Sequence, residues 1–125
     1  MSKLYIIMLM LFMHIIDDYR LQGILASMKQ QSWWKENAPD KKYKNDYIVA
    51  LLMHSFSWAF MIMLPVAAYL NFSTGTAFYI ALFTNCFIHA IVDHMKANKY
   101  IINLVQDQTI HVIQIIVTGC YFLYN

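Results

Sequence analysis

The chain has 125 residues, of which 60% are hydrophobic and 13% charged, with a formal net charge of +2. A soluble domain carries about 25% charged residues, so this composition argues against a soluble fold and against nucleic-acid binding. The 3 glycines and 2 prolines leave little turn-forming material, which predicts a few long helices in one domain, residues 1–125.

The first predicted helix starts near Lys3 with "LYIIMLMLFMHII" and runs to the Gln22–Met28 region. It has the basic start and apolar core of a signal peptide, but no small-residue cleavage site follows, so it is expected to be retained. A polar connector, about residues 29–46, carries Trp33 and Trp34 and is expected to be mobile or to lie along a membrane surface. The second helix covers about Asp46 to Leu70, and "NFSTGT" is an uncharged turn. The third runs from about Ala77 to Lys96 and the fourth from about Tyr100 to Tyr124. At about 1.5 Å per residue each can cross a hydrocarbon core about 30 Å thick. The expected fold is all-α: an integral membrane four-helix bundle.

Arg20, Lys29, Lys35, Lys41, Lys42, Lys44, Lys96 and Lys99 fall on one side of this arrangement and only Lys3 on the other. The positive-inside rule places the loaded side in the cytoplasm. Both termini then face outside, and the protein is multi-pass in the cytoplasmic (inner) membrane. The lysines read as topology signals, with anionic lipid headgroups as a secondary partner of the connector. Cys86 and Cys120 lie in apolar runs without a disulfide or zinc-ribbon spacing and read as small buried hydrophobes.

The polar residues inside the spans are organised. The first helix offers His14, Asp17, Asp18 and Gln22, and the second His54 and Ser57. The third offers Asn85, His89, Asp93 and Lys96, and the fourth Asn103, Asp107, Gln108, His111, Gln114 and Thr118. At about 100° per residue His14, Asp18 and Gln22 form an i, i+4, i+8 ladder. Asn85, His89, Asp93 and Lys96 fall within roughly 80° of arc. Asp107, His111 and Thr118 share a face, flanked by Gln108 and Gln114. Lipid cannot hydrogen-bond to these faces, so they should turn inward. Each histidine sits about 10–12 Å of helix from the cytoplasmic end, with His111 somewhat deeper, so the four are expected to meet in one layer.

Asp17, Asp18, Asp93 and Asp107 outnumber Arg20 and Lys96, and a divalent cation or protons would relieve the excess. Histidine with carboxylate suits zinc first, with manganese or iron as alternatives. The candidate metal ligands are His14, Asp18, His89, Asp93, Asp107 and His111, supported by Gln22, Gln108 and Asn85.

The pieces "HIIDDYRLQ", "MHSFSW", "HAIVDHMK" and "DQTIH", taken in order, resemble a family of small bacterial and phage membrane proteins, the domain of unknown function family numbered 3307. Its pattern is H-x-x-x-D-[FY]-x-x-Q, a histidine in the second helix, H-x-x-x-D-x-x-K, and D-Q-x-x-H. The matching positions are His14, Asp18, Tyr19 and Gln22; His54; His89, Asp93 and Lys96; and Asp107, Gln108 and His111. Asp17 and His94 lie outside the pattern. The resemblance implies the membrane fold and the polar cluster and brings no activity. A looser similarity is to membrane-bound metal-dependent hydrolases, whose longer histidine-rich signature is absent.

Three functions fit these residues. A metal-dependent hydrolase of a lipid or membrane-associated substrate would use the metal to activate water. In it His54 or a spare carboxylate such as Asp107 acts as base, and Lys96 stabilises negative charge. A proton or metal-ion channel or carrier would use the same groups as a path, and would call for a homo-oligomer. A holin-like or scaffold protein would use them as an interhelical hydrogen-bond network.

Overall fold

The computed structural model describes residues 2–125. Among them are six α-helices and no strand. Helix α1 (Lys3–Ile16) opens on Ser2, whose hydroxyl accepts the Tyr5 amide. The chain then passes into one π-turn, Asp17–Leu21, closed by the Gln22 amide donating to the Asp17 carbonyl at 3.2 Å. The first helix therefore ends earlier than its apolar pattern predicts. Gly23, at φ +53°, makes the break, in a left-handed conformation that costs glycine nothing. Short π-turns concentrate at functional sites. This one lies where the two consecutive aspartates enter the bundle.

The connector is folded rather than extended. Helices α2 (Leu25–Met28) and α3 (Gln31–Asn37) and a 3₁₀ turn at Lys41–Tyr43 occupy it. The Trp34 indole donates to the Met28 carbonyl at 2.7 Å. Asn98, just past α5, accepts from the Gln31 amide at 2.7 Å and donates to the Lys29 carbonyl at 3.0 Å. These bonds hold the connector against the bundle end.

Helix α4 (Asp46–Tyr69) runs through Pro65 without interruption. It closes with Asn71 and Phe72 in the left-handed region, the Phe72 amide reaching back to the Ala67 carbonyl at 2.7 Å. Helix α5 (Thr76–Ala97) agrees closely with its predicted span. Helix α6 (Leu104–Tyr124) begins later than expected, because Tyr100 has φ +57° and Asn103 forms a capping box with Gln106. Asn103, expected inside the span, is thus an exposed N-cap.

Helix α1 packs on α4 and α6, and α5 packs on the same two. In the half of the bundle nearest the α4–α5 turn Met10, Trp58, Ile62, Met63, Val66, Phe78, Leu82 and Ile115 form an apolar core. Gly119 lets α6 approach α1: an added Cβ would stand 3.1 Å from Ile7 Cγ1 and 3.3 Å from Met10 Sδ. Two segments, Lys41–Tyr69 and Thr76–Ala97, are long and apolar enough to cross a membrane. Helix α1 falls short because its 14 residues span about 21 Å. Helix α6 has the length, but Gln106, Asp107, Gln108, His111 and Gln114 dilute its hydropathy.

Candidate metal centre

The opposite half of the bundle gathers the polar side chains of all four long helices. His14, His54, His89 and His111 are each at most 3% exposed. The rings of His89 and His111 stack at 4.1 Å, His89 and His54 meet at 4.9 Å, and His14 lies 6.0 Å from His111. The depth argument thus matches the placement of the rings.

Two sets of atoms face one another. In the first, His54 Nε2 and His89 Nε2 are 3.1 Å apart. Asp18 Oδ1 lies 3.3 Å from His54 Nε2 and 3.9 Å from His89 Nε2. Asp93 Oδ2 approaches the same two nitrogens at 3.6 and 4.0 Å. Tetrahedral zinc with ligands at about 2.0–2.1 Å puts neighbouring ligand atoms about 3.3 Å apart, so the spacings among His54, His89 and Asp18 suit one ion, while Asp93, expected as a ligand, is instead held by Lys29 at 2.7 Å. In the second set, His111 Nε2 lies 3.2 Å from Asp107 Oδ1. Asp18, His54 and His89 form one group able to hold a metal ion, and Asp18, Asp107 and His111 a second.

The surrounding bonds fix which atoms are free. Trp58 Nε1 can only donate, and it donates to His14 Nδ1 at 2.8 Å. His14 Nε2 therefore carries its proton and donates to Gln108 Oε1 at 2.9 Å. The Gln108 amide nitrogen then donates to Asp18 Oδ2 at 3.1 Å and to Asp107 Oδ2 at 2.9 Å. Both nitrogens of His14 are engaged, which makes it an orienting residue in this arrangement. On the other side, Gln114 donates to the Asn85 side-chain and backbone carbonyls, each at 3.1 Å. Its own oxygen faces His111 Nδ1 at 3.1 Å, so Nδ1 holds the proton and the Nε2 lone pair looks toward Asp107. Asn85 also donates to Thr118 Oγ1 at 2.9 Å. It therefore supports the centre through Gln114 rather than by contact.

Three residues matter more than their sequence pattern implied. Asp17 is fully buried; it accepts from the Ser57 hydroxyl at 2.6 Å, and its Oδ2 lies 3.7 Å from His54 Nδ1. Asp17 continues α1 in regular helical conformation, so its i+3 spacing puts it about 60° round the helix from His14, on the opposite side from Asp18, where it meets Ser57 and His54 of α4. Lys29, read as a topology signal, is buried at 6% exposure, and its Nζ donates to Asp93 Oδ2 at 2.7 Å and to Gln22 Oε1 at 3.0 Å. Trp58 is fully buried and stacks on His89 at 4.3 Å. A tryptophan four residues after the histidine of an apolar helix was the available signal.

Arg20 is exposed and takes no part, so the local cations are Lys29 and Lys96. Lys96 donates to Asp107 Oδ2 at 3.1 Å and lies 3.8 Å from Asp93 Oδ1, with its side chain 28% exposed. Asp17, Asp18, Asp93 and Asp107 still exceed these two ammonium groups by two charges. Gln22 bonds the Asp18 carbonyl and braces the π-turn. His94 lies outside the cluster, stacked on Tyr47 at 5.9 Å. Cys86 is buried in the apolar core and Cys120 is exposed.

No protein-family model matches the chain, and neither a curated protein nor a solved structure does.

Proposed function

We propose that the chain is a multi-pass inner-membrane metalloprotein that uses a divalent ion, zinc in first place, to hydrolyse a lipid or membrane-associated substrate. The observation that carries the reading is the His54–His89–Asp18 set. Two imidazoles and one carboxylate, with a fourth position left to water or substrate, form the ligand pattern of catalytic zinc. Structural zinc sites close all four positions with protein ligands. His54 becomes a ligand in this assignment rather than the base. Asp17 Oδ2, 3.7 Å from its Nδ1 and short of a hydrogen bond, is placed to close on that nitrogen as the outer carboxylate of a ligating histidine. Asp93 is placed to accept a proton from water at the open position, and Lys96, at the partly exposed mouth, to stabilise developing negative charge.

The membrane placement draws support from the inversion of polarity. Phe12, Ile15, Phe56, Phe60, Phe83, Phe87, Ile113 and Val117 are all exposed on the four long helices, while four histidines and three of the aspartates are buried. An apolar exterior this extensive belongs against lipid. With both termini outside, the centre lies near the cytoplasmic side and Trp33 and Trp34 lie at headgroup level.

A conduit is less well supported. The polar run passes from His111 through Gln114 and Asn85 to Thr118. Beyond it lie the buried apolar side chains of Met10, Met63, Val66 and Phe78.

The test is metal analysis of protein purified in mild detergent without chelator, beside a His54→Ala/His89→Ala variant, followed by a screen of ester, amide and phosphate lipids. Bound zinc, manganese or iron that is lost in the variant, with hydrolysis that follows the metal, supports the proposal. A metal-free wild type that added metal does not stabilise contradicts it.

A further inference from the structure

We infer that the centre is dinuclear: a second divalent cation binds between Asp107 and His111, and Asp18 bridges it to the first. This rests on the metalloprotein reading above and goes beyond its single ion. Three observations carry it. His111 Nε2 and Asp107 Oδ1 are 3.2 Å apart. Both atoms are buried without a hydrogen-bond partner, in residues 0% exposed. Gln114 holds the His111 proton on Nδ1, so a lone pair faces a carboxylate oxygen across the gap. Two acceptors held that close in a buried site call for a cation between them.

Asp18 belongs to both candidate ligand groups. Its Oδ1 faces His54 and His89, and its Oδ2 accepts from Gln108, which also bonds Asp107. A carboxylate with its oxygens turned to two sides is a natural bridge, and paired catalytic ions stand about 3.5–4 Å apart. The charge agrees. The first ion offsets the two-charge excess of the carboxylates, and a second brings further positive charge that a hydroxide or an anionic substrate would balance. This is also the side where Lys96 reaches the surface. A single buried proton on His111 is the competing occupant of the gap, and ion stoichiometry separates the two.

The experiment titrates chelator-stripped full-length protein in detergent with Zn²⁺ and, separately, with Mn²⁺ monitored by electron paramagnetic resonance. The variants are His111→Phe, which keeps a ring against His89, and Asp107→Asn, which keeps the size of the side chain. Circular dichroism and melting confirm that each is folded. Expected are two ions per wild-type chain, an exchange-coupled Mn²⁺ pair spectrum, and one ion or fewer with no coupling in either variant. One ion in the wild type overturns the second site and leaves the first standing. No ion overturns the metalloprotein reading and this inference with it. Two ions that are uncoupled, or two that persist in both variants, place the second ion elsewhere and overturn the assignment.

Discussion

Replacing Lys29 by methionine removes a buried ammonium and little else. Lys29 is 6% exposed and Asp93 2%, and Nζ stands 2.7 Å from Oδ2. Exposed ion pairs contribute only about 0–1 kcal/mol. Removing one partner of a buried pair costs about 3–5 kcal/mol, because the other charge is left uncompensated. Gln22 also loses its donor. For a chain of this length, each kcal/mol moves the midpoint by roughly 3–5 °C. Lys29→Met should therefore lower the melting temperature of metal-stripped protein in detergent by ~10–20 °C. Lys35→Met, on the exposed face of α3, should shift it by no more than about 2 °C. The double variant Lys29→Met/Asp93→Asn should recover most of the loss, since the charge left without Lys29 is removed with it. The readout is a thermal melt by intrinsic tryptophan fluorescence. Equal, small shifts for Lys29→Met and Lys35→Met would refute the docked connector and return Lys29 to the role of a topology signal.

Other substitutions separate the layers of the site. Asp17→Asn weakens the carboxylate behind His54 and should reduce metal affinity about 10–100-fold, measured by chelator competition, with little change in helix content. Trp58→Phe keeps an aromatic ring against His89 but deletes the donor that fixes the His14 tautomer. It should lower metal affinity in the same assay, and an unchanged value would show that the Trp58–His14–Gln108 chain does not orient Asp18 and Asp107. Gly119→Val drives a branched side chain into Ile7 and Met10, which stand 3.1 and 3.3 Å from the first added carbon. Such overpacking costs about 1–3 kcal/mol, so the melting temperature should fall by several degrees, and by less for Gly119→Ala, whose single added carbon asks Ile7 and Met10 to yield only slightly. For the membrane placement, alkaline carbonate extraction should leave the protein in the pellet, and release into the supernatant would contradict it.

The sequence already carried the helices wherever the apolar pattern and the caps agreed. The third helix is the clearest example, because its polar stripe repeats at helical spacing to the end. His14, His54, His89 and His111 were legible for the same reason. The first helix was misread at its inner end because a π-turn leaves no hydropathy signature. Asp17 lies outside the i, i+4, i+8 ladder of His14, Asp18 and Gln22, and its place beside Ser57 and His54 is set by the packing of α1 on α4, which spacing along one helix does not show. Lys29 was hidden because a lysine in a polar connector looks solvated. Only the fold of α2 and its tie to Asn98 bring that lysine over Asp93. The start of the fourth helix was set too early because Ile101 and Ile102 continue the apolar pattern. The capping box at Asn103 and Gln106 is the local chemistry that overrides them.

Zinc K-edge X-ray absorption on the purified protein examines the His54–His89–Asp18 centre most directly. The account predicts nitrogen and oxygen ligands at about 2.0–2.1 Å with imidazole outer-shell scattering, and loss of that signal in the His54→Ala/His89→Ala variant. Sulfur scattering near 2.3 Å, or a zinc spectrum that the double variant leaves unchanged, would contradict it.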